Sequence, residues 1–254
     1  MPHYQPRQDL LNGKTILITG ATDGIGQEAA LTYARFGASV ILLGRNPQKL
    51  DAVKKHIFDL TGKTAETHLI DLLNATSEDC QTIASNIAKQ HSHLDGVLHS
   101  AGALGVIAPI TEQPPHIWHD VMQINVNAGF MLTQALLPLL LKAPQASLIF
   151  TSSSVGKQGR ANWGAYAVSK FATEGLMQVL ADEYKDSTLR VNCINPGRTR
   201  TAMRAGAAPN EDPTTLKTPA DIMPTYLYLM GDDSLGQTGA SVDAQPSLKP
   251  IKAE

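Results

Sequence analysis

Short apolar runs with the chemistry of β-strands alternate along this chain with amphipathic helical stretches, and that alternation restricts the possible folds more than any other feature. KTILIT, SVILL, THLI, DGVLHS, SLIFTS and LRVNCI read as strands. Between them lie helical segments at Ile25 to Phe36, Pro47 to Leu60, Glu78 to His91, Trp118 to Leu141 and Trp163 to Lys185. A strand that reaches its neighbour through a helix must pair with it in parallel, with the helices covering both faces of the sheet. The expected architecture is α/β, a doubly wound parallel sheet of about seven strands. No linker or shift in composition divides the 254 residues, so residues 1–254 read as a single domain.

Local chemistry marks several boundaries. Asn46-Pro47 reads as an N-cap followed by proline at the first helical position, and Gly37 as the end of the preceding helix. Ser77 reads as the cap of the third helix. Two segments leave the alternation. Residues 196–219 are rich in Thr, Ala, Gly and Pro, a long irregular stretch of the kind that usually carries function, and read as a substrate-binding lid. Residues 244–254 read as an irregular C-terminal arm.

The charge balance narrows the partners. A formal net charge of −2, with 17% charged residues well mixed, offers no basic field for nucleic acid or anionic lipid. Cys80 and Cys193 form no disulfide framework, and neither they nor His91, His93, His116 and His119 fall into a metal-ligand set. The start, MPHYQPRQDLLNGK, is not a secretory signal. Phe130 to Leu141 is too short to span a bilayer and carries Thr133, Gln134 and Pro138. The expectation is a soluble cytoplasmic protein that binds no nucleic acid, membrane or metal and acts on a small molecule.

Directly after the first strand runs Thr19-Gly20-Ala21-Thr22-Asp23-Gly24-Ile25-Gly26, opening into a helix. Glycines at such a turn allow close approach of backbone to a pyrophosphate, and a helix N-terminus adds free N–H groups and a positive dipole end. Gly20, Thr22, Asp23, Gly24, Ile25 and Gly26 therefore form a candidate dinucleotide cradle. At the end of the second strand an acid would hydrogen-bond the adenosine ribose and repel a 2′-phosphate; this chain has Arg45-Asn46 instead. A guanidinium offers fork-like donors to phosphate, so NADP(H) is preferred and NAD(H) remains possible. Asp71 and Leu72, after the third strand, are placed for the adenine edge, with a helix-capping role for Asp71 as the alternative.

Tyr166 and Lys170 are four residues apart in a helical stretch, which puts phenol and ammonium on one face. Bringing a phenol from ~10 to ~7 takes roughly 4 kcal/mol. An ammonium ~5 Å away supplies about 3 kcal/mol at an effective dielectric of ~20. The pair is thus a candidate for proton transfer near neutral pH.

Taken together, the glycine-rich turn, Tyr166 and Lys170, Ser153 thirteen positions before Tyr166, Asn125 in the fourth helical segment and Asn195-Pro196-Gly197 after the sixth strand make the chain resemble the short-chain dehydrogenase/reductase family in its form of about 250 residues. The resemblance covers nearly the whole chain and implies a Rossmann-like fold. It implies that Tyr166 exchanges a proton with a substrate carbonyl as hydride moves, that Ser153 holds the carbonyl oxygen, that Lys170 supports the phenolate and the nicotinamide ribose, and that Asn125 holds a water linking Lys170 to solvent. Ala101 and Gly102 would border the cofactor, and Pro196, Gly197, Thr199 and Thr201 would hold the nicotinamide end. In similar proteins the two long helices pair across a two-fold axis, implying a homodimer or homotetramer.

Two departures stand out. His99-Ser100 replaces the Asn-Asn that often precedes Ala-Gly in the family, with His99 expected in the core and a local effect expected at Ser100. Thr199 stands where an aliphatic residue is usual. The resulting reading is an NADP(H)-dependent oxidoreductase that reduces the carbonyl of a small compound or oxidises the alcohol. An NAD-dependent alcohol or sugar dehydrogenase and a non-catalytic NADP(H)-binding regulator are the alternatives. Substrate choice is assigned to residues 196–219 and to the stretch from Gly156 to Trp163, with Arg198 and Arg200 lending the entrance positive charge.

Overall fold

Parallel pairing follows from the spacing of the strands, and a computed structural model describing residues 4–246 has all seven strands in one parallel sheet. The strands are β1 (Thr15–Thr19), β2 (Ser39–Gly44), β3 (Glu66–Leu69), β4 (Gly96–His99), β5 (Ala146–Thr151), β6 (Leu189–Asn195) and β7 (Ser241–Asp243), in the order β3-β2-β1-β4-β5-β6-β7. The order reverses between β1 and β4, and at such a switch the loops after two neighbouring strands part and leave a crevice.

The helices are α1 (Gly24–Arg35), α2 (Pro47–Thr61), α3 (Ser77–Gln90), α4 (Pro115–Met122), α5 (Ala128–Leu140), α6 (Gly164–Glu183), α7 (Ala202–Ala207) and α8 (Pro219–Met230). Successive strand residues serve opposite layers. Ile16, Ile18, Leu42, Leu98 and Ile149 pack toward α1 and α8. Leu17, Ile41, Leu43, Val97, Leu148 and Phe150 pack toward α3, α5 and α6. Burial on both faces is why the strands are continuous apolar runs instead of alternating ones.

The expected caps at Asn46 and Gly37 are present. Asn46 Oδ1 accepts from Lys49 N at 2.9 Å, and Gly37 follows α1 with φ 101°. The expectation at Ser77 is corrected: Thr76 is the cap. Thr76 Oγ1 accepts from Asp79 N at 3.2 Å and Asp79 Oδ2 accepts from Thr76 N at 2.9 Å. This reciprocal pair satisfies two otherwise unpaired amides, which a cap at Ser77 would not do.

The fourth helical segment is interrupted. Residues Gln123–Asn127 form a single π-turn between α4 and α5, and the extra residue rotates Asn125 inward to a buried position. Residues 196–219 are less irregular than expected, containing α7, a 3₁₀ turn at Pro213–Thr215 and a parallel bridge between Thr199 and Lys217. Of the arm at 244–254, residues 247–254 lie outside the described residues; Gln245 folds back, donating from Nε2 to Pro196 O at 2.8 Å. Among the described residues no helix is long and apolar enough to cross a membrane.

Candidate active site

At the carboxyl ends of the strands lies a cleft of about 990 Å³. Its floor is the glycine-rich turn. Gly20 has φ 65°, and a Cβ there would stand 2.8 Å from Ala101 Cα. A Cβ on Gly26 would strike the carbonyl oxygen of Gly20. Only glycines let β1, α1 and the loop after β4 approach so closely. Thr19 Oγ1 binds that loop, accepting from Ser100 N and Ala101 N, both at 3.1 Å. Ser100 Oγ would be 3.2 Å from a Cβ on Gly26, so the serine packs beside the start of α1.

The cleft wall brings together Gly20, Thr22, Asp23, Gly24, Ile25, Gly26, Arg45, Asn46, Asp71, Leu72, Ala101, Gly102, Ser153, Tyr166, Lys170, Pro196, Gly197, Thr199 and Thr201. Several have their side chains committed. Asp23 caps α1 through Gly24 N at 2.7 Å. Asn46 caps α2, and Thr201 caps α7 through Arg204 N at 3.2 Å. Asp71 accepts from Leu73 N at 3.3 Å and Asn74 Nδ2 at 3.0 Å, closing its own turn and capping no helix. Arg45 is exposed and, among the described residues, pairs with no carboxylate.

The pair on α6 is placed by two close packings. A Cβ on Gly156 would stand 2.9 Å from Lys170 Cβ, so this glycine lets the turn after β5 close over the helix. Trp163 lies against Tyr166 with ring centroids 5.8 Å apart. Lys170 is buried, donates to Thr151 O at 2.8 Å and sits 5.5 Å from the Tyr166 ring centroid. Burial pushes the Lys170 ammonium down to about 8, opposed by Cys193 and Glu174.

Burial pushes the Tyr166 phenol up to about 12, while the Ser153 hydroxyl beside it pulls the other way. The charge balance drawn from spacing alone, which brings the phenol toward neutrality, is corrected here. Desolvation of the phenolate outweighs an ammonium that is turned to a carbonyl.

Asn125 stands outside the cleft wall, behind Lys170. Its Oδ1 accepts from Ala103 N at 2.7 Å, and its Nδ2 donates to Ala103 O and Ser169 Oγ, both at 2.9 Å. It therefore clamps the loop after β4 to α6. A second hollow of about 20 Å³, lined by Asn125, Lys170, Thr151 and His99 among others, is the size one water molecule needs. His99 is buried, stacked on Phe150 at 4.9 Å and bonded to Thr133 Oγ1 at 2.9 Å; burial holds its ring down at about 4, so it is neutral.

Cleft residues that the sequence does not single out include Lys49, Leu104 and Gln245. Lys49 has a signal, a cation in the first turn of α2 just after Arg45. Leu104 and Gln245 reach the cleft by chain reversals that no local pattern encodes.

A family model for short chain dehydrogenases matches residues 14–212. The chain is 68% identical over 248 residues, 98% of each chain, to YciK of Escherichia coli (strain K12), described as an uncharacterised oxidoreductase. Among solved structures, a short chain dehydrogenase of Shigella flexneri 2a str. 301 complexed with NADP superposes with a TM-score of 0.93 at 68% identity, over 94% of this chain and 100% of that one. One from Escherichia coli CFT073 complexed with NADPH gives 0.94 at 68% identity, over 95% and 100%. With its seven-stranded parallel sheet and a family match across most of its length, the chain belongs to the short-chain dehydrogenase family and is an oxidoreductase.

Proposed function

We propose that this protein uses NADPH to reduce the carbonyl of a small molecule, with Tyr166 as proton donor. The observation that carries the reading is the convergence of Tyr166, Ser153 and Lys170 in the same cleft as the glycine-rich turn and Arg45. We read the chain as one catalytic unit, with residues 196–219 as the substrate-facing lid.

The residues present fit a dinucleotide phosphate. Gly20, Gly24 and Gly26 keep Cβ atoms out of the turn, the first residues of α1 line the cleft, and Arg45 after β2 and Lys49 in the first turn of α2 have no carboxylate partner among the described residues. The Shigella and E. coli relatives complexed with NADP and NADPH support the same choice. When bound, the cofactor supplies a hydride. Arg45 and Lys49 would hold the 2′-phosphate, and Asp71 and Leu72 would border the adenine.

The chain's own residues then handle one proton. A phenol with its pKa near 12 is fully protonated at neutral pH, the form a reductase needs in its acid. Ser153 steadies the carbonyl oxygen and stabilises the phenolate that Tyr166 becomes. Lys170, protonated below about pH 8, opposes that new negative charge. Asn125 ties the loop after β4 to α6, the helix that carries Lys170, and the hollow beside them supports a single water returning the proton.

Replacing Arg45 by Ala is expected to raise the KM for NADPH by about 10- to 100-fold, the value of one or two charge-assisted hydrogen bonds, and to leave the KM for NADH little changed. Steady-state titration of both cofactors checks this; an unaltered ratio defeats the assignment of Arg45.

The helices α5 and α6 leave Phe130, Val168, Phe171 and Val179 exposed, an apolar stripe that supports pairing of two copies. Light scattering at micromolar concentration is expected to return a dimer or tetramer mass, and Phe171→Glu to lower it; a monomer mass for the native chain rejects the pairing. Both cysteines are buried free thiols, which supports a reducing, cytoplasmic setting.

A further inference from the structure

Beyond Lys170, six cations line the cleft, and their partners divide them. Arg198 and Arg204 share Glu211, at 3.0 Å for Arg198 and 2.7 Å for Arg204 Nη2, and Lys157 lies 3.6 Å from Asp243. Arg45 follows β2 and Lys49 lies in the first turn of α2, both on the cleft wall with the glycine-rich turn. Arg160 is the remaining cation. It lies in the loop between β5 and α6, three residues before Trp163 and six before Tyr166, exposed to the cleft and without a carboxylate or carbonyl partner among the described residues.

The loop that carries it is held in a defined shape. Arg160 O accepts from Trp163 N at 3.3 Å, and Asn162 O accepts from Ala108 N at 3.0 Å. Asn162 has φ 71°, the sole positive value at a non-glycine residue among those described. An asparagine accepts that conformation at modest cost, and it turns the chain so that Trp163 lies over Tyr166 while Arg160 faces the same cleft.

The acids lining the cleft do not offset Arg160. Asp23 is bonded to an amide at the glycine-rich turn and Asp71 to one in its own turn after β3, and Asp243 is shared by Lys157 and Asn195 Nδ2. The end near Trp163 is thus positive in a chain whose net charge is −2, and Leu104, Trp163 and Met203 add apolar wall to the same cleft.

We propose that the substrate is a carbonyl compound bearing an oxyanion, a carboxylate or a phosphate, and that Arg160 is the residue that selects it. The proposal rests on the carbonyl-reductase reading above. A guanidinium forks onto either oxyanion with two parallel bonds, which a lysine cannot reproduce. Arg198 and Arg204 share the single carboxylate of Glu211, which holds both side chains to the lid even though one positive charge remains, so the guanidinium left to turn onto the substrate beside Trp163 is Arg160.

The test uses the full chain with NADPH and matched pairs: acetoacetate against its methyl ester, 4-oxopentanoate against its methyl ester, and dihydroxyacetone phosphate against dihydroxyacetone. The native protein is expected to favour the charged member of at least one pair in kcat/KM. Arg160→Ala is expected to erase about 10- to 100-fold of that preference, chiefly through KM, with Arg160→Lys recovering part of it. The carboxylate and phosphate pairs separate the two sources of negative charge. A preference unchanged in Arg160→Ala, a preference for the neutral members, or a rise confined to the KM for NADPH overturns the proposal while leaving the reductase reading intact. If no pair turns over, the reductase reading is what fails, and calorimetric binding of acetoacetate and dihydroxyacetone phosphate to the NADPH-bound protein decides the proposal. Loss of binding in Arg160→Ala supports it, and equal or absent binding in both proteins overturns it.

Discussion

Tyr166→Phe is expected to lower kcat for carbonyl reduction by about 10²- to 10⁴-fold, the range lost with a positioned general acid, while NADPH still binds. Phenylalanine keeps the ring that packs against Trp163 at 5.8 Å and above Lys170, so the fold and the cleft should survive. Only the transferable proton is removed. The native enzyme should also lose rate as pH rises through about 8, because burial brings the Lys170 pKa down to that value and its charge opposes the forming phenolate only while protonated. Single-turnover oxidation of NADPH from pH 6 to 10 checks both. A kcat within a few-fold of native in Tyr166→Phe would remove Tyr166 from the chemistry, and a flat profile would remove Lys170's charge from it.

Gly26→Ala is expected to be the most damaging single methyl in the cradle. The added Cβ meets the carbonyl oxygen of Gly20 and comes within 3.2 Å of Ser100 Oγ. That carbonyl cannot retreat, because Gly20 is itself pinned at φ 65° with Ala101 Cα just 2.8 Å from where its own Cβ would be. Helix α1 must move instead. Overpacking of this kind costs about 1–3 kcal/mol, and at this chain length each kcal/mol lowers Tm by about 2–4 °C. Since the N-terminus of α1 faces the cleft, its displacement should weaken NADPH binding by about 10-fold or more. Calorimetry and cofactor titration on one preparation measure both; native Tm and affinity in the variant would show that the close packing is not essential.

Much of the architecture was legible from spacing. Six apolar runs appear as six of the seven strands, and their parallel pairing follows from the helices between them. β7 was not located, because three residues, Ser241 to Asp243, at the sheet edge carry almost no apolar signal and become a strand by pairing with β6. The cap at Thr76 was missed in favour of its neighbour because both residues are hydroxylated, and the choice depended on Asp79 reaching back. The π-turn at Gln123–Asn127 has no sequence mark of its own. It arises where Asn125 finds three partners at Ala103 and Ser169, a gain visible only once the loop after β4 lies against α6.

Sequence alone determined that a glycine turn would follow β1, that an arginine would replace an acid after β2, and that Tyr166 and Lys170 would share a helical face. These are local facts of residue type and period, and neighbouring residues suffice to state them. Tertiary structure decided how the groups are charged and which of them have company. Burial drives the Tyr166 phenol up and the Lys170 ammonium down, reversing the balance that spacing suggested for the phenol. Folding of the segment 196–219 on itself gives Arg198 and Arg204 a shared carboxylate, while Arg160, in another loop, has none among the described residues. Solvation and ion pairing depend on what surrounds a group in space, and those surroundings come from segments far apart in the chain.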